Sequence, residues 1–426
     1  MAELDDQDQV VDPPPYFLCP ISLQIMKDPV TIASGITYDR ESIEKWLFSD
    51  KHKTCPVSHI VLSDFDVTPN HTLRRVIQAW CTVNASKGVE RIPTPKPPVD
   101  REQVVRILAD AKLSPFSQKN CLCRLRSIAA ANESNKRCME SAGVVEFLAG
   151  VVCNSTTNME YGLEDYAFDD MSANSADEAL IILHKLQISE SSLKFLLSNN
   201  GGIFISTLTK ILQNRSYSSR SYSVMLLNSM FEVADQIQIQ NLTADFFIEI
   251  IQILKDQISK QASKSALKLL IAVSSSFRNR VKAVQAGAVP VLIDLLLDLD
   301  SSENKRLCEM ILVLLDQLCG CADGRAELLN HAAGIAVVSK KILRISTVGS
   351  EKAVGILWSI ARFSGSQSVV QEMVRIGVVT KLCFLLQVVG AGVKAKEKAK
   401  EILKLHGRTW RNSSCLPSTL RSAYPQ

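Results

Sequence analysis

The chain has 426 residues, of which 46% are apolar and 22% charged, and its formal net charge is +4. This composition is typical of a soluble globular protein with two or three domains. The weak positive balance argues against a nucleic-acid partner, and the short, interrupted apolar runs argue against a transmembrane segment. Twelve cysteines at irregular spacing, with no signal peptide, indicate reduced thiols and a cytoplasmic location.

A small α+β domain is expected at residues 14–86, after an acidic, disordered arm at 1–13. Val30 to Tyr38 alternate as a β-hairpin does, with a turn at Ser34-Gly35. Asp39 is placed to cap a helix that runs to Asp50, and Asn70 is placed to cap a second helix. The expected core of this domain consists of Leu18, Ile25, Met26, Val30, Ile32, Ile36 and Tyr38.

Two similar tetrads frame the domain, Cys19-Pro20-Ile21-Ser22 and Cys55-Pro56-Val57-Ser58. Each ends in a serine where a Cys-x2-Cys zinc pair would carry its second sulfur. A structural zinc site needs four ligands, and the available cysteines and histidines do not supply two such sites at a usable spacing: Cys19, Cys55, His52, His59, His71 and Cys81. We therefore expect no metal and no cofactor, and a fold held by a packed core and buried polar bonds.

Neither tetrad cysteine has the partners of a nucleophile. No histidine with an Asn or Asp accompanies Cys19 or Cys55 at a recognisable spacing. We expect no covalent catalysis, and we expect both side chains to be small buried hydrophobes.

The sequence predicts an exposed, groove-facing Trp46 and a buried Trp80 in this domain. Trp46 follows Ile43 on the first helix, and a helix this short could bury Ile43 and Leu47 while the indole faces a groove. A core position is the alternative for Trp46. The second helix carries an apolar face at helical spacing, which predicts a buried Trp80; this face consists of Leu73, Val76, Ile77 and Trp80.

A stiff proline-rich linker is expected at residues 87–100. Beyond it, residues 101–407 are helical in pattern, with apolar blocks that recur at about 42 to 47 residues, a period that fits armadillo-type repeats. The blocks begin at Ala142, Gly202, Thr243, Ala286, Ala333 and Ile376. We expect about six repeats, a polar, acidic and turn-rich insertion at 154–177, and a superhelix with a groove for extended or helical partners.

The end of the chain is basic. The segment from Lys394 to Arg411 is rich in lysine and arginine, which favours a solvated capping helix before a tail at 408–426. An anionic lipid or an acidic partner is the alternative target of this segment.

The first domain resembles a U-box, the zinc-less relative of the RING fold. The motifs that carry the resemblance are FLCPIS, MKDPV, SGITYDR, IEKWL, CPVS and TPNHTLRRVIQAW, in that order. With the linker and the repeats, the whole chain is similar to plant U-box proteins with armadillo repeats. The resemblance implies an α+β U-box followed by an all-α armadillo superhelix, and the activity of a ubiquitin ligase without a covalent ubiquitin intermediate.

The resemblance also implies partners and roles. The U-box would dock a ubiquitin-charged conjugating enzyme, and the repeats would hold a protein substrate. Docking maps to Ile21, Leu23, Trp46 and Pro56, with His59 where many such ligases carry a bridging arginine; fold support maps to Cys19, Asp39, Arg40 and Asn70. The family further implies self-ubiquitination, a role in plant defence or stress signalling, possible self-association through the U-box, and possible nuclear or peripheral-membrane association.

A non-enzymatic armadillo scaffold is the alternative function. Import-type adaptors line their groove with a ladder of Trp and Asn. Here the repeats carry only Trp358 and, at their very end, Trp410, which disfavours that alternative.

Overall fold

The structure, a computed structural model, describes residues 12–50, 52–93, 99–160, 166–198, 202–214, 216–299 and 303–411. It divides into two compact units. The first consists of residues 1–147 with 185–187, and the second of residues 148–184 with 188–426.

A three-stranded antiparallel sheet organises the first unit. Its strands are β1 (Pro29–Thr31), β2 (Thr37–Asp39) and β3 (Thr68–Pro69), in the order β2-β1-β3. Val30 lies opposite Tyr38, and the turn between them passes through Gly35 at φ +78°, a conformation that glycine adopts without a steric penalty. The predicted hairpin is confirmed.

Two helices complete this small domain. Helix α1 (Arg40–Glu44) continues into a wider, π-type turn at Lys45–Ser49, and helix α2 spans His71–Val83. Asn70 caps α2 as predicted, because its side chain accepts from the Leu73 N–H at 3.0 Å.

Asp39 precedes α1 but does not cap it with its side chain. The carboxylate instead accepts from the backbone N–H groups of Lys27 (2.7 Å) and Asp28 (2.9 Å). Asp39 therefore holds the predicted N-cap position, but the prediction that its side chain caps α1 is wrong. Its carboxylate instead accepts hydrogen bonds from the loop before β1.

The core of this region is built from the predicted apolar residues, with some exceptions at its edge. Met26, Val30, Ile32 and Tyr38 are buried, whereas Leu18, Ile25 and Ile36 are half-buried. Trp80 is also half-buried and meets Phe17 edge-on at 5.8 Å. Val76, on the apolar face of α2, is 48% exposed, so the buried face of α2 is narrower than its apolar pattern.

The start of the linker packs on the same core. Val89 and Ile92 contact it, and Gln78 on α2 donates to the Ile92 carbonyl at 3.3 Å. The first unit then continues with α3 (Arg101–Ala111), α4 (Pro115–Ala129) and α5 (Glu133–Ser141).

The remaining helices follow in a repeating order of three, which we name short, middle and long by their place in the repeat. Two middle helices depart from the lengths that these names suggest, Val144–Glu160 being longer and Gly334–Lys340 shorter. The short ones are α8 (Glu190–Ser198), α11 (Gln236–Gln240), α14 (Phe277–Gln285), α17 (Ala322–Asn330) and α20 (Gln367–Arg375). The middle ones are α6 (Val144–Glu160), α9 (Ile203–Asn214), α12 (Ala244–Asp256), α15 (Ala288–Asp298), α18 (Gly334–Lys340) and α21 (Val378–Gln387). The long ones are α7 (Tyr166–Lys185), α10 (Tyr217–Phe231), α13 (Lys260–Val273), α16 (Lys305–Leu318), α19 (Thr347–Phe363) and α22 (Val393–Leu405), followed by α23 (Gly407–Arg411).

The predicted repeat starts are confirmed, because every middle helix begins within two residues of a predicted block. Gly287 shows why such starts are readable: it lies at φ +83°, directly before the apolar helix α15. In the second unit, α10, α13, α16, α19 and α22 pack on one another in succession. The prediction of a turn-rich segment at 154–177 is wrong, since α6 and α7 cover it except for residues 161–165, which lie outside the described residues.

The basic C-terminal segment is helical. Its Lys394, Lys400 and Lys404 are exposed, as expected for a solvated helix. Trp410 is fully buried and donates its indole N–H to the Val370 carbonyl at 3.3 Å, so it belongs to the core of the second unit.

Candidate docking site

The first tetrad forms a loop closed by a bridge between Leu18 and Ile25. Inside the loop, the Cys19 N–H donates to the Gln24 carbonyl at 2.8 Å, and the Leu23 N–H donates to the Cys19 carbonyl at 2.8 Å. Leu23 adopts φ +56°. These bonds present the Leu23 side chain to solvent.

The second tetrad repeats this loop with the same bonds. Thr54 bridges Val61, the Cys55 N–H donates to Ile60, and the His59 N–H donates back to Cys55, each at 2.9 Å. His59 also adopts φ +56°. The two loops therefore share one backbone design, in which Leu23 and His59 occupy equivalent positions.

The thiol of Cys19 lies at the centre of the first loop. It accepts from the Asp39 N–H at 3.3 Å, and further donors come from the Ile21 and Ser22 N–H groups and the Ser22 hydroxyl. Burial by itself raises the pKa of this thiol, but the donors outweigh it and hold the pKa of Cys19 below its ordinary value.

The thiol of Cys55 plays the same part in the second loop. Ser34 donates its hydroxyl at 3.3 Å, the Tyr38 hydroxyl lies at 3.1 Å, and the Ser58 N–H donates at 3.5 Å. Burial raises the pKa of this thiol, and the converging donors lower it further than that, to about 6.

The prediction that these cysteines are small buried hydrophobes is therefore only half right. Both are buried, with 0% exposure, but each sulfur accepts several hydrogen bonds. The serines that replace the second sulfur of a zinc pair, Ser22 and Ser58, donate to the sulfur that remains. A polar network thus stands where a metal would bind, and the burial leaves neither thiol accessible to a substrate.

Metal ligands do not gather elsewhere in the described ranges: no group of three or more His, Cys, Asp or Glu side chains there could hold an ion. That the protein needs no metal stays a prediction. The cysteines that the structure describes are free thiols.

Trp46 lies in the π-type turn after α1, half-buried against the core. Its indole N–H donates to the Thr54 carbonyl at 2.8 Å, and its ring stacks on His52 with centroids 3.9 Å apart. The indole is therefore neither fully core nor free. It joins the helix to the second loop and leaves part of its surface open, and its docking role stays a prediction.

The other predicted docking residues lie on the two loops. Leu23 is 74% exposed and His59 is exposed, whereas Ile21 and Pro56 are half-buried. Ile21 packs against the same core as Trp46.

Sequence reasoning missed three apolar side chains of the second loop. Val57 is 50% exposed, Ile60 is 62% exposed and Val61 is 72% exposed. The signal was available, because Val57, Ile60 and Val61 are apolar residues of one short loop around His59, whereas the next residue, Leu62, is buried. They lie on either side of His59 in the chain, one before it and two after it.

Arg40 is buried at the base of the site. Its Nε lies 2.6 Å from Asp28 and its Nη1 lies 3.4 Å from Glu44. Asp28 also lies 3.5 Å from Arg74 on α2. The ions link the loop before β1 to both helices, which fits the fold-supporting role expected of Arg40.

A second surface of interest lies in the second unit, on the long helices α19 and α22. We call it the cationic-aromatic face. Trp358 donates its indole N–H to Glu401 at 2.5 Å, and the Arg362 guanidinium and the Lys398 ammonium lie 5.2 and 5.7 Å from its ring centroid. Phe363, edge-on to Trp358 at 5.9 Å, is 59% exposed.

A second arginine flanks this face. Arg325 lies 5.1 Å from the Phe363 ring and is fixed by hydrogen bonds to Ser364 (3.1 Å) and to the Cys319 carbonyl (3.0 Å). Cations beside aromatic rings attract anionic and aromatic groups together.

Residues 13–86 match the family described as "U-box domain", and residues 103–426 match "Plant U-box protein ARM repeat region". The chain belongs to the plant U-box proteins with armadillo repeats. From Arabidopsis thaliana, "E3 ubiquitin-protein ligase PUB22" is 51% identical over 98% of this chain and 100% of that protein, and "E3 ubiquitin-protein ligase PUB23" is 50% identical over 98% of each. This U-box protein is an E3 ubiquitin-protein ligase.

The fold has a likeness among solved structures. One described as "A conserved phosphorylation switch controls the interaction between cadherin and beta-catenin in vitro and in vivo" matches with a TM-score of 0.59, at 13% identity, over 85% of this chain and 62% of that chain. This likeness concerns the fold alone. Within the described ranges, no helix has the length and hydropathy that a membrane crossing requires.

Proposed function

We propose that the U-box docks a ubiquitin-charged conjugating enzyme on its two loops and the Trp46 turn. The observation that carries this proposal is the bond from Trp46 to the Thr54 carbonyl, because it joins the helix to the second loop in one surface. Exposed apolar side chains such as Leu23 and Ile60 then supply contact area on either side. Aromatic anchors ringed by apolar contacts are typical of the centres of protein interfaces.

The chemistry proposed for this site is transfer by positioning. The thioester of the conjugating enzyme is the reactive group, and the ligase supplies no nucleophile, since both tetrad thiols are buried. Holding the charged enzyme and an acceptor lysine on one scaffold raises their effective concentration, which can lower a barrier by about 7–11 kcal/mol at best. In transfer to a substrate, the bonds that change belong to the thioester and to the acceptor lysine.

The armadillo repeats are proposed to hold the substrate through the cationic-aromatic face. Arg362 and Lys398 lie over one indole and Phe363 is open to solvent, so the surface suits an acidic segment that carries aromatic residues. Family membership supports a cytoplasmic role in plant defence or stress signalling as part of the same proposal.

One reconstituted reaction tests the proposal. The purified chain is mixed with activating enzyme, conjugating enzyme, ubiquitin and ATP, and we expect a ladder of self-modified ligase. Discharge of a precharged conjugating enzyme onto free lysine isolates the U-box step. A chain that accelerates neither reaction with a panel of conjugating enzymes would favour the scaffold function instead.

A further inference from the structure

A buried carboxylate lies between the U-box and the first armadillo helices, within the first unit. Glu44, at the end of α1, is 1% exposed. It lies 3.4 Å from Arg40 of its own helix, and it also accepts from the backbone N–H of Ser134 in the first turn of α5. An anion at a helix N-terminus satisfies free N–H groups and meets the positive end of the helix dipole, so a U-box side chain stabilises the start of α5.

A second contact lies beside it. The guanidinium of Arg137, one turn further along α5, lies 3.5 Å from the ring centroid of Phe48 and attracts the Glu44 carboxylate. Phe48 belongs to the π-type turn that carries Trp46. This one turn therefore carries both Trp46, which bonds the second tetrad loop, and Phe48, which stacks against Arg137.

Hydrogen bonds hold the linker residues that the structure describes near both of its ends. At the U-box end, Ile92 accepts from Gln78 on α2 at 3.3 Å. At the other end, the Val99 N–H donates to the Asn135 side chain at 2.9 Å. Asn135 is 2% exposed and donates in turn to the Ile128 carbonyl of α4 at 3.1 Å. The linker is therefore bonded to α2 of the U-box at one end and to α5 at the other, in addition to the contacts of Glu44 and Arg137.

We propose that Glu44 and Arg137 lock the docking turn of the U-box onto α5, so that the conjugating-enzyme surface keeps one orientation relative to the first armadillo helices. Arg137 is then a positioning residue, which acts through Phe48 and touches no reactant. The consequence for function rests on the proposed docking at the Trp46 turn. A fixed orientation selects which lysines can reach the thioester, whereas a free one would expose many lysines at a lower effective concentration.

Hydrogen exchange of the full chain tests the lock without any ubiquitin reagent. Arg137→Ala should speed amide exchange several-fold in residues 45–49 and in the first turn of α5, because both lose a shared contact. Arg106→Ala is the matched control, since Arg106 is an exposed arginine of the same unit that pairs with the exposed Glu102. Arg137→Lys keeps the charge but loses the planar stack, so it should restore protection in part.

The second measurement separates positioning from docking. In single-turnover reactions, Arg137→Ala should discharge ubiquitin onto free lysine within about twofold of the parent rate. The lysines of the chain that become self-modified, mapped by mass spectrometry, should spread to positions that the parent leaves unmodified. Phe48→Leu should give the same spread, and the double variant should add nothing to it.

Unchanged exchange in both segments of Arg137→Ala would overturn the lock. An unchanged set of modified lysines would overturn its role in transfer, and so would a large loss of free-lysine discharge, because Arg137 would then act on docking itself. A parent chain with no discharge activity would contradict the proposed function and leave the exchange result to decide the lock.

Discussion

Trp46 donates its indole N–H to the backbone carbonyl of Thr54 at 2.8 Å, which fastens the docking turn to the second tetrad loop. A buried or half-buried indole N–H usually finds a hydrogen-bond partner, and the one that Trp46 finds is a carbonyl of the second tetrad loop. Part of the ring remains exposed. The indole N–H therefore holds the loop, while the exposed part of the ring is free to contact a partner. The contributions of the N–H and of the ring to binding can be measured separately.

The first prediction separates them. Trp46→Ala should weaken binding of the conjugating enzyme by about thirtyfold or more, as loss of a central anchor of about 2 kcal/mol implies. Trp46→Phe keeps a smaller aromatic ring and loses the N–H bond, worth about 1 kcal/mol, so it should weaken binding by less than tenfold. Calorimetric titration measures both, and Trp358→Ala is the matched tryptophan control. Equal losses from Ala and Phe would show that the ring itself contributes nothing.

The second prediction concerns Cys55 and pH. Its pKa is about 6 in the folded chain, against an ordinary value near 9. Between these values the unfolded thiol holds a proton that the folded one has released, so stability rises with pH across this window. The Cys55 contribution is lost as pH falls through about 6. Melting temperatures at pH 6 and pH 8.5 should therefore differ in the parent.

Variants identify the source of that slope. Cys55→Ser cannot ionise and should flatten the pH dependence, even though it lowers the melting temperature at every pH. Cys123→Ser, at an exposed cysteine, should keep the parental slope. A Cys55→Ser chain with the full slope would show that the thiol does not titrate as a folded-state anion.

The third prediction concerns His59, which lies exposed at φ +56° at the end of the second tetrad loop. The resemblance to RING and U-box ligases implies that a bridging arginine would be expected there. A guanidinium offers five fixed, charged donors where a neutral imidazole offers one. His59→Arg should raise the single-turnover discharge rate several-fold, for an added charge-assisted bond of about 1 kcal/mol. Gln24→Arg adds an arginine at an exposed position of the first loop that is not among the docking residues; it is the control and should give no gain. A rate for His59→Arg no higher than the parent's would place the bridge elsewhere.

The fourth prediction concerns the cationic-aromatic face. A fluorescent peptide of alternating glutamate and tyrosine should bind the parent, and added salt should weaken that binding. Arg362→Glu replaces attraction over Trp358 with repulsion and should weaken binding by about tenfold, or roughly 1.4 kcal/mol. Lys260→Glu changes the same charge on α13, away from this face, and should have little effect. Equal losses from both variants would mean that the peptide senses only net charge.

Local patterns predicted much of this fold. Asn70 caps α2 because a cap is a contact with its own first turn, and α15 begins where Gly287 permits a left-handed turn before an apolar run. Such features are complete within a few residues, so a sequence displays them.

Contacts between segments that are distant in the sequence could not be predicted from it. Asp39 bonds the loop before β1 instead of its own helix, and the Cys55 sulfur gathers donors from the hairpin, from Ser34 and Tyr38. The stacking of Arg137 on Phe48 joins segments on either side of the linker. Each of these contacts depends on the folded path of the chain, which no periodicity encodes.

The central claim is that this ligase acts by docking a charged conjugating enzyme at the Trp46 turn, and single-turnover discharge onto free lysine tests it most directly. The parent chain should accelerate release of ubiquitin from the precharged enzyme. Trp46→Ala should lose most of that acceleration at limiting conjugating enzyme and recover part of it at high concentration, because docking is weakened and the chemistry is not. Full activity of Trp46→Ala at limiting enzyme, in a chain with a normal melting temperature, would contradict the account.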